Sequence, residues 1–237
     1  MTSYALWNHY MQCYDALTNV ESYNRNIEDI ASLATPCCGA NILDAGSGTG
    51  TLSLLLKERG AHVTSLDFSE EALRHHRRKD PSATTMHASL EERLPLANGC
   101  FDFVCCASVL FALSRAGCIN AVNEFFRVLQ PSGKVIVSVA APAKKNSTLF
   151  IKHVAQLFAH SKLGQRRLTA LCDISRVARV IYYNYRLQQL PDWNGYHRFT
   201  EPELRELLES AGFSRVAIGR TYNESFFLAV GTKLKHV

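Results

Sequence analysis

Short apolar segments alternate with segments of helical periodicity from residue 41 to residue 231. Strand-like apolar runs occur at residues 41–45, 62–68, 84–88, 101–107, 134–140, 215–218 and 226–231. Apolar residues spaced three and four positions apart predict helices at 51–59, after Ser69, at 119–129 and at 201–210. This alternation is typical of βαβ units and predicts an α/β fold with a Rossmann-like, doubly wound sheet of seven strands. The last two strands leave no room for a crossover helix, so we expect an antiparallel hairpin at the end of a mostly parallel sheet.

Two segments lie outside this alternation, residues 1–40 and residues 141–200. We expect one domain over residues 1–237, with residues 1–40 as an N-terminal helical cap and 141–200 as a helical insert that covers the substrate. The insert contains two amphipathic stretches. Their apolar faces are predicted to consist of Phe150, Val154, Leu157 and Phe158, and of Ile174, Val177, Ile181 and Tyr185.

A glycine-rich loop follows the first predicted strand and opens the first helix of the alternating region, in the segment Leu43-Asp44-Ala45-Gly46-Ser47-Gly48-Thr49-Gly50. Glycines in such a loop let the backbone approach a ligand closely and present N–H groups to it. The dinucleotide fingerprint requires a further glycine where this chain has Thr51. Asp44 beside the loop would also repel a pyrophosphate, whereas it suits an amine or a sulfonium. Asp67, at the end of the second strand, is placed to accept both ribose hydroxyls of an adenosine.

Further motifs appear in a fixed order along the chain: Ser65-Leu66-Asp67-Phe68-Ser69, Arg93-Leu94-Pro95-Leu96, Glu124 to Lys134, Arg198-Phe199-Thr200 and Leu207 to Phe213. Together with the glycine loop they resemble the class I S-adenosylmethionine-dependent methyltransferases, in particular the quinone-biosynthesis and small-molecule enzymes. The resemblance covers about residues 41–140 and 198–231. It implies that the cofactor is S-adenosylmethionine and that the protein is a methyltransferase.

The resemblance also implies which residues bind the cofactor. Asp44 and Gly46 would face its methionine part, Asp67 its ribose and Phe68 its adenine. The full implied set is Tyr23, Asp44, Ala45, Gly46, Ser47, Gly48, Gly50, Asp67, Phe68, Ser89, Leu90, Ala107 and Ser108. The chain departs from the family at Ser89, where an acid usually accepts the adenine amino hydrogen; a hydroxyl accepts that bond more weakly or through water.

Methyl transfer from a sulfonium depends chiefly on alignment and on exclusion of water, and a base is needed only when the nucleophile arrives protonated. His197, at the end of the insert, is the candidate base, with a surface or capping histidine as the alternative. Tyr14 is the second catalytic candidate, since it lies in the predicted N-terminal cap. Packing is the alternative role for Tyr14 and Tyr23.

The net charge of +5 is distributed unevenly along the chain. Residues 141–200 carry ten Lys or Arg and two acids, and the remainder of the chain has a net charge of −3. A small anionic molecule, an acyl-carrier partner or an anionic membrane surface would each match the basic insert, as would a solvated basic face without a partner. We expect a small polar or anionic acceptor. The segment Cys105-Cys106-Ala107-Ser108 after the fourth strand lacks the signature of amino-directed nucleic-acid methyltransferases, so nucleic acid is disfavoured.

Three alternatives to a small-molecule methyltransferase remain open. These are cyclisation of the aminobutyrate chain of S-adenosylmethionine, a peripheral lipid methyltransferase, and a binding protein without turnover. The eight cysteines form no CxxC pair, which favours reduced thiols in a cytoplasmic protein and predicts no metal site. No apolar run reaches the roughly 18 residues of a membrane span, and the aromatic, polar N-terminus is not expected to be a signal peptide.

Overall fold

The computed structural model describes residues 3–19, 21–34, 39–142, 178–180, 182–183, 185–187, 198–222 and 224–235. The strands are β1 (Asn41–Ala45), β2 (His62–Asp67), β3 (Thr84–His87), β4 (Phe101–Ala107), β5 (Leu129–Ala140), β6 (Ser214–Thr221) and β7 (Phe226–Thr232). Outside the residues of the insert, the described α-helices are α1 (Ser3–Tyr14), α2 (Glu21–Ala34), α3 (Thr51–Glu58), α4 (Glu70–Lys79), α5 (Arg115–Val128) and α6 (Glu201–Ser210). A 3₁₀ turn, Asp15–Asn19, follows α1 directly and leads to α2. Among these residues no helix has the length and apolarity needed to cross a membrane.

The seven described strands form one sheet in the order β3-β2-β1-β4-β5-β7-β6. Pairing is parallel from β3 through β5, and β7 runs antiparallel to both of its neighbours. The predicted Rossmann-like fold with a C-terminal antiparallel hairpin is confirmed. Chain order reverses between β1 and β4, and ligands of such sheets bind in the crevice at the carboxyl ends of the strands beside this reversal.

Both faces of the sheet are buried, which is why its central strands are nearly continuous apolar runs. On one face α5 and α6 pack against the sheet, with Phe125, Leu204 and Leu208 fully buried. On the other face α2 and α3 cover it, with Ile30 and Leu56 in the same buried cluster as the strand residues Ile42, Cys105 and Ile136. The helices on this second face carry the chain to and from the glycine loop.

Two elements begin four or more residues earlier than the sequence predicts. Helix α5 begins at Arg115 instead of residue 119, because Ser114 caps it by accepting a hydrogen bond from the Gly117 N–H at 2.9 Å. Strand β5 begins at Leu129 instead of residue 134. The Pro131-Ser132-Gly133 segment looks like a turn in the sequence, yet it is an irregularity inside the strand, with Ser132 at φ 71°.

Within the insert the structure describes residues 141–142, 178–180, 182–183, 185–187 and 198–200, and those between 178 and 187 are helical. Val180, Tyr183 and Leu187 pack on residues of α1 such as Leu6 and Met11. Tyr185, predicted to belong to the apolar face, is 59% exposed. That prediction is wrong because the helix turns Val180, Tyr183 and Leu187 towards α1 and leaves Tyr185 on its exposed side. The other residues of the two predicted stripes lie outside the described residues.

Candidate active site

The loop between β1 and α3 is shaped by three glycines with positive φ angles: Gly46 at 78°, Gly48 at 54° and Gly50 at 84°. A Cβ atom on Gly46 would lie 2.4 Å from the side chain of Val109, and one on Gly50 would lie 2.2 Å from the ring of His76. A Cβ on Gly48 would meet no atom within 4 Å. Packing therefore requires glycine at the first and last positions, whereas Gly48 borders open space at the carboxyl edge of the sheet.

Asp44 is buried at the carboxyl end of β1 and has one satisfied and one unsatisfied oxygen. Its Oδ2 accepts a hydrogen bond from the Ser53 hydroxyl at 2.5 Å, and Ser53 Oγ lies 2.7 Å from Ser65 Oγ. Its Oδ1 is buried without a hydrogen-bond partner. Burial raises the pKa of Asp44 to about 7, with the bond from Ser53 acting in the opposite direction and the charge of Asp67 adding to the rise. A cationic donor beside Oδ1 would satisfy this carboxylate.

Asp67, at the end of β2, connects the glycine loop to the start of α4. Its two oxygens accept backbone N–H bonds from Gly48 and Ser69, both at 2.8 Å. Burial raises the pKa of Asp67 to about 6 in spite of these bonds. A carboxylate has about four lone-pair positions, so its oxygens can still accept from the hydroxyls of a ligand.

Helix α1 and the 3₁₀ turn lie across both loops. The Ser69 hydroxyl lies 2.8 Å from Asn8 Oδ1, and Trp7 meets the ring of Phe68 edge-on at 6.0 Å. Asp15 accepts hydrogen bonds from the Thr49 hydroxyl of the glycine loop and, at 3.0 Å, from Lys79 of α4. The N-terminal segment is therefore bonded to the ends of both strands that carry the predicted cofactor residues.

Tyr14 and Tyr23 form an aromatic pair beside the glycine loop, with ring centroids 6.1 Å apart and an interplanar angle of 83°. Burial raises the pKa of Tyr23 to about 12, and hydrogen bonds from Thr51 and Tyr14 act in the opposite direction. Burial also raises the pKa of Tyr14 well above its usual value. Both phenols are neutral near pH 7, so they act as hydrogen-bonding groups and not as bases.

The remaining predicted residues lie along the same edge of the sheet. Leu90 is buried, and the Ser89 hydroxyl accepts a bond from the Glu91 N–H at 3.1 Å. Ala107 ends β4, and Ser108 follows it at φ 59°, a left-handed conformation that costs a non-glycine residue about 1 kcal/mol or more. The Ser108 N–H donates to the Ser138 carbonyl at 3.0 Å, which holds this turn at the edge of the sheet.

The predicted cofactor residues lie at or just after the carboxyl ends of β1 to β4, with Tyr23 of α2 beside Thr51, whereas His197 lies outside the described residues. Sequence reasoning gave no role to three residues that bond or pack against this site: Ser53, His76 and Val109. The serine in the otherwise leucine-rich start of α3 was an available signal for Ser53. The contacts of Val109 and His76 with the glycines bridge distant parts of the chain and left no local signal.

Comparison with known proteins agrees with this geometry. A family model described as a methyltransferase domain matches residues 42–133. A demethylmenaquinone methyltransferase of Clavibacter sepedonicus is 30% identical over 190 residues, which cover 76% of this chain and 68% of that protein. The chain belongs to the class I S-adenosylmethionine-dependent methyltransferases. The methyltransferase is also 28% identical over 229 residues to a putative methyltransferase of Bacillus subtilis, with 88% of this chain and 86% of that protein covered.

A solved structure from Thermotoga maritima, described as a SAM-dependent methyltransferase and possible histamine N-methyltransferase, shares the fold. Its TM-score is 0.64 at 16% identity, and the match covers 98% of this chain and 100% of that one.

The residues of this methyltransferase fit its cofactor, S-adenosylmethionine. The unpartnered, buried Oδ1 of Asp44 can accept from the ammonium of the methionine part. When bound, the cofactor supplies an activated methyl group on its sulfonium. The glycine loop, the buried carboxylates and helix α1 would together orient the reactants and exclude water.

Proposed function

We propose that this methyltransferase transfers a methyl group to a small polar or anionic molecule. The position of α1 carries the proposal. This helix is bonded to Ser69 after β2, and the following 3₁₀ turn is bonded to Thr49 of the glycine loop. An acceptor must reach the methyl group beneath a covered edge, which favours a compact molecule over a polymer. The name of the Clavibacter relative also specifies a small-molecule acceptor, demethylmenaquinone.

Within this proposal the cofactor residues divide by the part of S-adenosylmethionine that each contacts. Asp44 accepts from the ammonium, with Ala45, Gly46, Ser47 and Tyr23 beside the methionine part. Asp67 accepts from the ribose hydroxyls, and its bond from the Gly48 N–H fixes the distance between loop and ribose. Phe68, Ser89 and Leu90 flank the adenine. Gly50 shapes the loop, and Ala107 and Ser108 line the space beside the methyl group.

The proposed catalytic roles differ for the two candidates. Tyr14 is a neutral phenol near pH 7, and burial raises its pKa further, so it orients the acceptor or cofactor through a hydrogen bond. His197 is proposed as the base for acceptors that arrive protonated. A His197→Gln variant should lose activity towards a hydroxyl acceptor and keep cofactor affinity.

The preference for an anionic acceptor rests on charge. The insert carries a net +8 in the sequence, and its described arginines Arg179, Arg186 and Arg198 are exposed. Cations beside the entrance to a site raise the local concentration of anionic ligands, an effect that salt screens.

The test is an acceptor screen with matched pairs, each a carboxylic acid and its neutral methyl amide. S-adenosylhomocysteine release with a preference for the acids supports the proposal; release of methylthioadenosine indicates cyclisation of the cofactor and contradicts it. Arg179→Glu should raise KM for the acid more than for the amide. Arg78→Glu, on the exposed side of α4, is the matched charge change and should leave that difference unaltered. Activity that requires anionic liposomes would contradict a freely dissolved acceptor.

A further inference from the structure

Asn26 is a polar residue that is fully buried without any hydrogen-bond partner. The side chain lies on α2 with 0% exposure, and neither its Nδ2 nor its Oδ1 has a hydrogen-bond partner. A buried polar group without a partner costs roughly 1–3 kcal/mol. Among the described residues, such atoms occur only in Asn26, Asp44, Ser47 and His76. Two of the other three, Asp44 and Ser47, belong to the cofactor site.

The packing of α2 places Asn26 close to that site. The helix ends at Ala34 before β1 begins at the amino edge of the sheet, so its first turns lie towards the carboxyl edge. Tyr23, almost one turn before Asn26, interacts with Thr51 and with the charge of Asp44. One turn after it, Ile30 packs in the same cluster as Ile42 of β1.

Asn26 therefore lies on the buried face of α2, between Tyr23 near the glycine loop and Ile30 near the middle of β1. Cys105 of β4 is the strand neighbour of Asp44, and it belongs to the cluster that α2 covers. Tyr23, Asn26, Ile27 and Ile30 are all buried on this side of the helix. The Asn26 amide thus lies on the face of α2 that covers Cys105, the strand partner of Asp44, whose second oxygen is also unpartnered.

We propose that Asn26 is a further cofactor-binding residue, whose amide N–H donates to the carboxylate of the methionine part of S-adenosylmethionine. That part is a zwitterion, and Asp44 supplies an acceptor for its ammonium alone. The Asn26 amide has two N–H donors for the carboxylate and adds no charge beside Asp44. The inference rests on the cofactor of the family and is independent of the acceptor, so a failure of the small-molecule proposal would leave it standing.

The experiment compares two ligands in the purified full-length protein by calorimetry. S-adenosylhomocysteine retains the amino acid part and does not react, whereas methylthioadenosine has the same nucleoside without that part. Asn26→Leu removes the amide at nearly constant volume. We expect a roughly 10- to 100-fold loss of S-adenosylhomocysteine affinity and a change of less than about twofold for methylthioadenosine. Equal losses for both ligands, or no loss for either, would overturn the proposal.

Further variants keep the test informative. Asp44→Asn should reproduce the selective loss, and Asn24→Ala, whose amide bonds the Thr18 carbonyl elsewhere on α2, should change neither affinity. Asn26→Asp should bind S-adenosylhomocysteine no better than Asn26→Leu, because two carboxylates would then face each other; binding tighter than wild type would contradict the assignment. If thermal unfolding shows that Asn26→Leu is misfolded, Asn26→Ala takes its place with the same expected selectivity.

Discussion

Ser53 donates its hydroxyl hydrogen to Oδ2 of Asp44 at 2.5 Å, and the other oxygen of this buried carboxylate has no partner. The serine thereby holds the carboxylate in one orientation and stabilises its charged form, while Oδ1 stays available to a ligand. Ser65 lies behind Ser53, with 2.7 Å between the two hydroxyl oxygens. The row Ser65-Ser53-Asp44 connects β2, α3 and β1 at the point where the methionine part of the cofactor is expected.

Ser53→Ala should weaken S-adenosylhomocysteine binding in a pH-dependent manner. Without the donor, the pKa of Asp44 rises further above about 7, so a larger fraction is protonated at neutral pH. We expect a roughly tenfold loss of affinity at pH 7 and a smaller loss at pH 9, measured by calorimetry. Ser65→Ala is the control and should have a weaker effect, because Ser65 bonds Ser53 and no bond joins it to the carboxylate. Equal losses at pH 7 and pH 9 would contradict this mechanism.

Cofactor binding should release protons near neutral pH. The pKa of Asp44 is raised to about 7 and that of Asp67 to about 6, and both ligand contacts favour the ionised carboxylates. Affinity should therefore rise with pH, by roughly tenfold between pH 6 and pH 8. Calorimetry in buffers of different ionisation enthalpy measures the protons released. A pH-independent heat and affinity would show that neither carboxylate titrates on binding.

The raised pKa values of Asp44 and Asp67 have the opposite effect on the cofactor-free protein, whose stability should fall as pH rises. Both folded-state pKa values lie above the ordinary value of 3.8, so these groups favour folding most at low pH, and the contribution is lost as pH rises through about 6 and 7. The stabilisation gained from S-adenosylhomocysteine should accordingly grow with pH. Asp44→Asn, which cannot titrate, should flatten that dependence in thermal unfolding experiments.

Asp67→Ala should lower both stability and affinity. The change removes the acceptor of the Gly48 and Ser69 N–H groups, so the free energy of unfolding should fall by roughly 1–3 kcal/mol. Affinity should drop about 100-fold or more for S-adenosylhomocysteine and methylthioadenosine alike, since both contain the ribose. Asp80→Ala also removes an acceptor of a backbone N–H, that of Ser82, and should affect stability alone. Unchanged calorimetric affinity in Asp67→Ala would refute the ribose assignment.

Substitutions at two glycines of the loop should separate folding from binding. Gly50→Ala places a Cβ 2.2 Å from the His76 ring at a φ of 84° and should cost roughly 2–4 kcal/mol of stability. Gly48→Ala meets no atom and should cost about 1 kcal/mol, while its methyl group, in the space bordering the crevice, lowers ligand affinity. Adding His76→Ala to Gly50→Ala should restore part of the stability in chemical denaturation. No restoration would show that the strain lies in the backbone alone.

Local signals predicted the elements where sequence and structure agree. Ser69 precedes Glu70 and Glu71, and its hydroxyl caps α4 by accepting from the Ala72 N–H at 3.2 Å. Helix α6 spans residues 201–210 as predicted, with Thr200 and Glu203 forming a reciprocal capping box. Such caps depend on a few neighbouring residues, which is why the sequence alone reveals them.

The start of β5 and the exposure of Tyr185 depend on distant partners. The early start of β5 is supported by Lys233, because the Ser132 N–H donates to its carbonyl and its own N–H donates to the Gly133 carbonyl. The exposure of Tyr185 follows from the packing of Val180 and Leu187 on α1. Lys233 and α1 are both distant in sequence from the segments they contact. Turn propensity therefore indicated a turn before β5, and helical periodicity indicated a buried Tyr185.

The sequence by itself determined the alternation of strands and helices, the glycine loop and the two acids, because each is written in adjacent residues. Only the tertiary structure decided how these groups act. It buries Asp44 and Asp67 and so raises their pKa values, it leaves one oxygen of Asp44 and the amide of Asn26 without partners, and it lays α1 across both loops. Burial and hydrogen-bond satisfaction are properties of packed neighbours, which the linear order of residues does not specify.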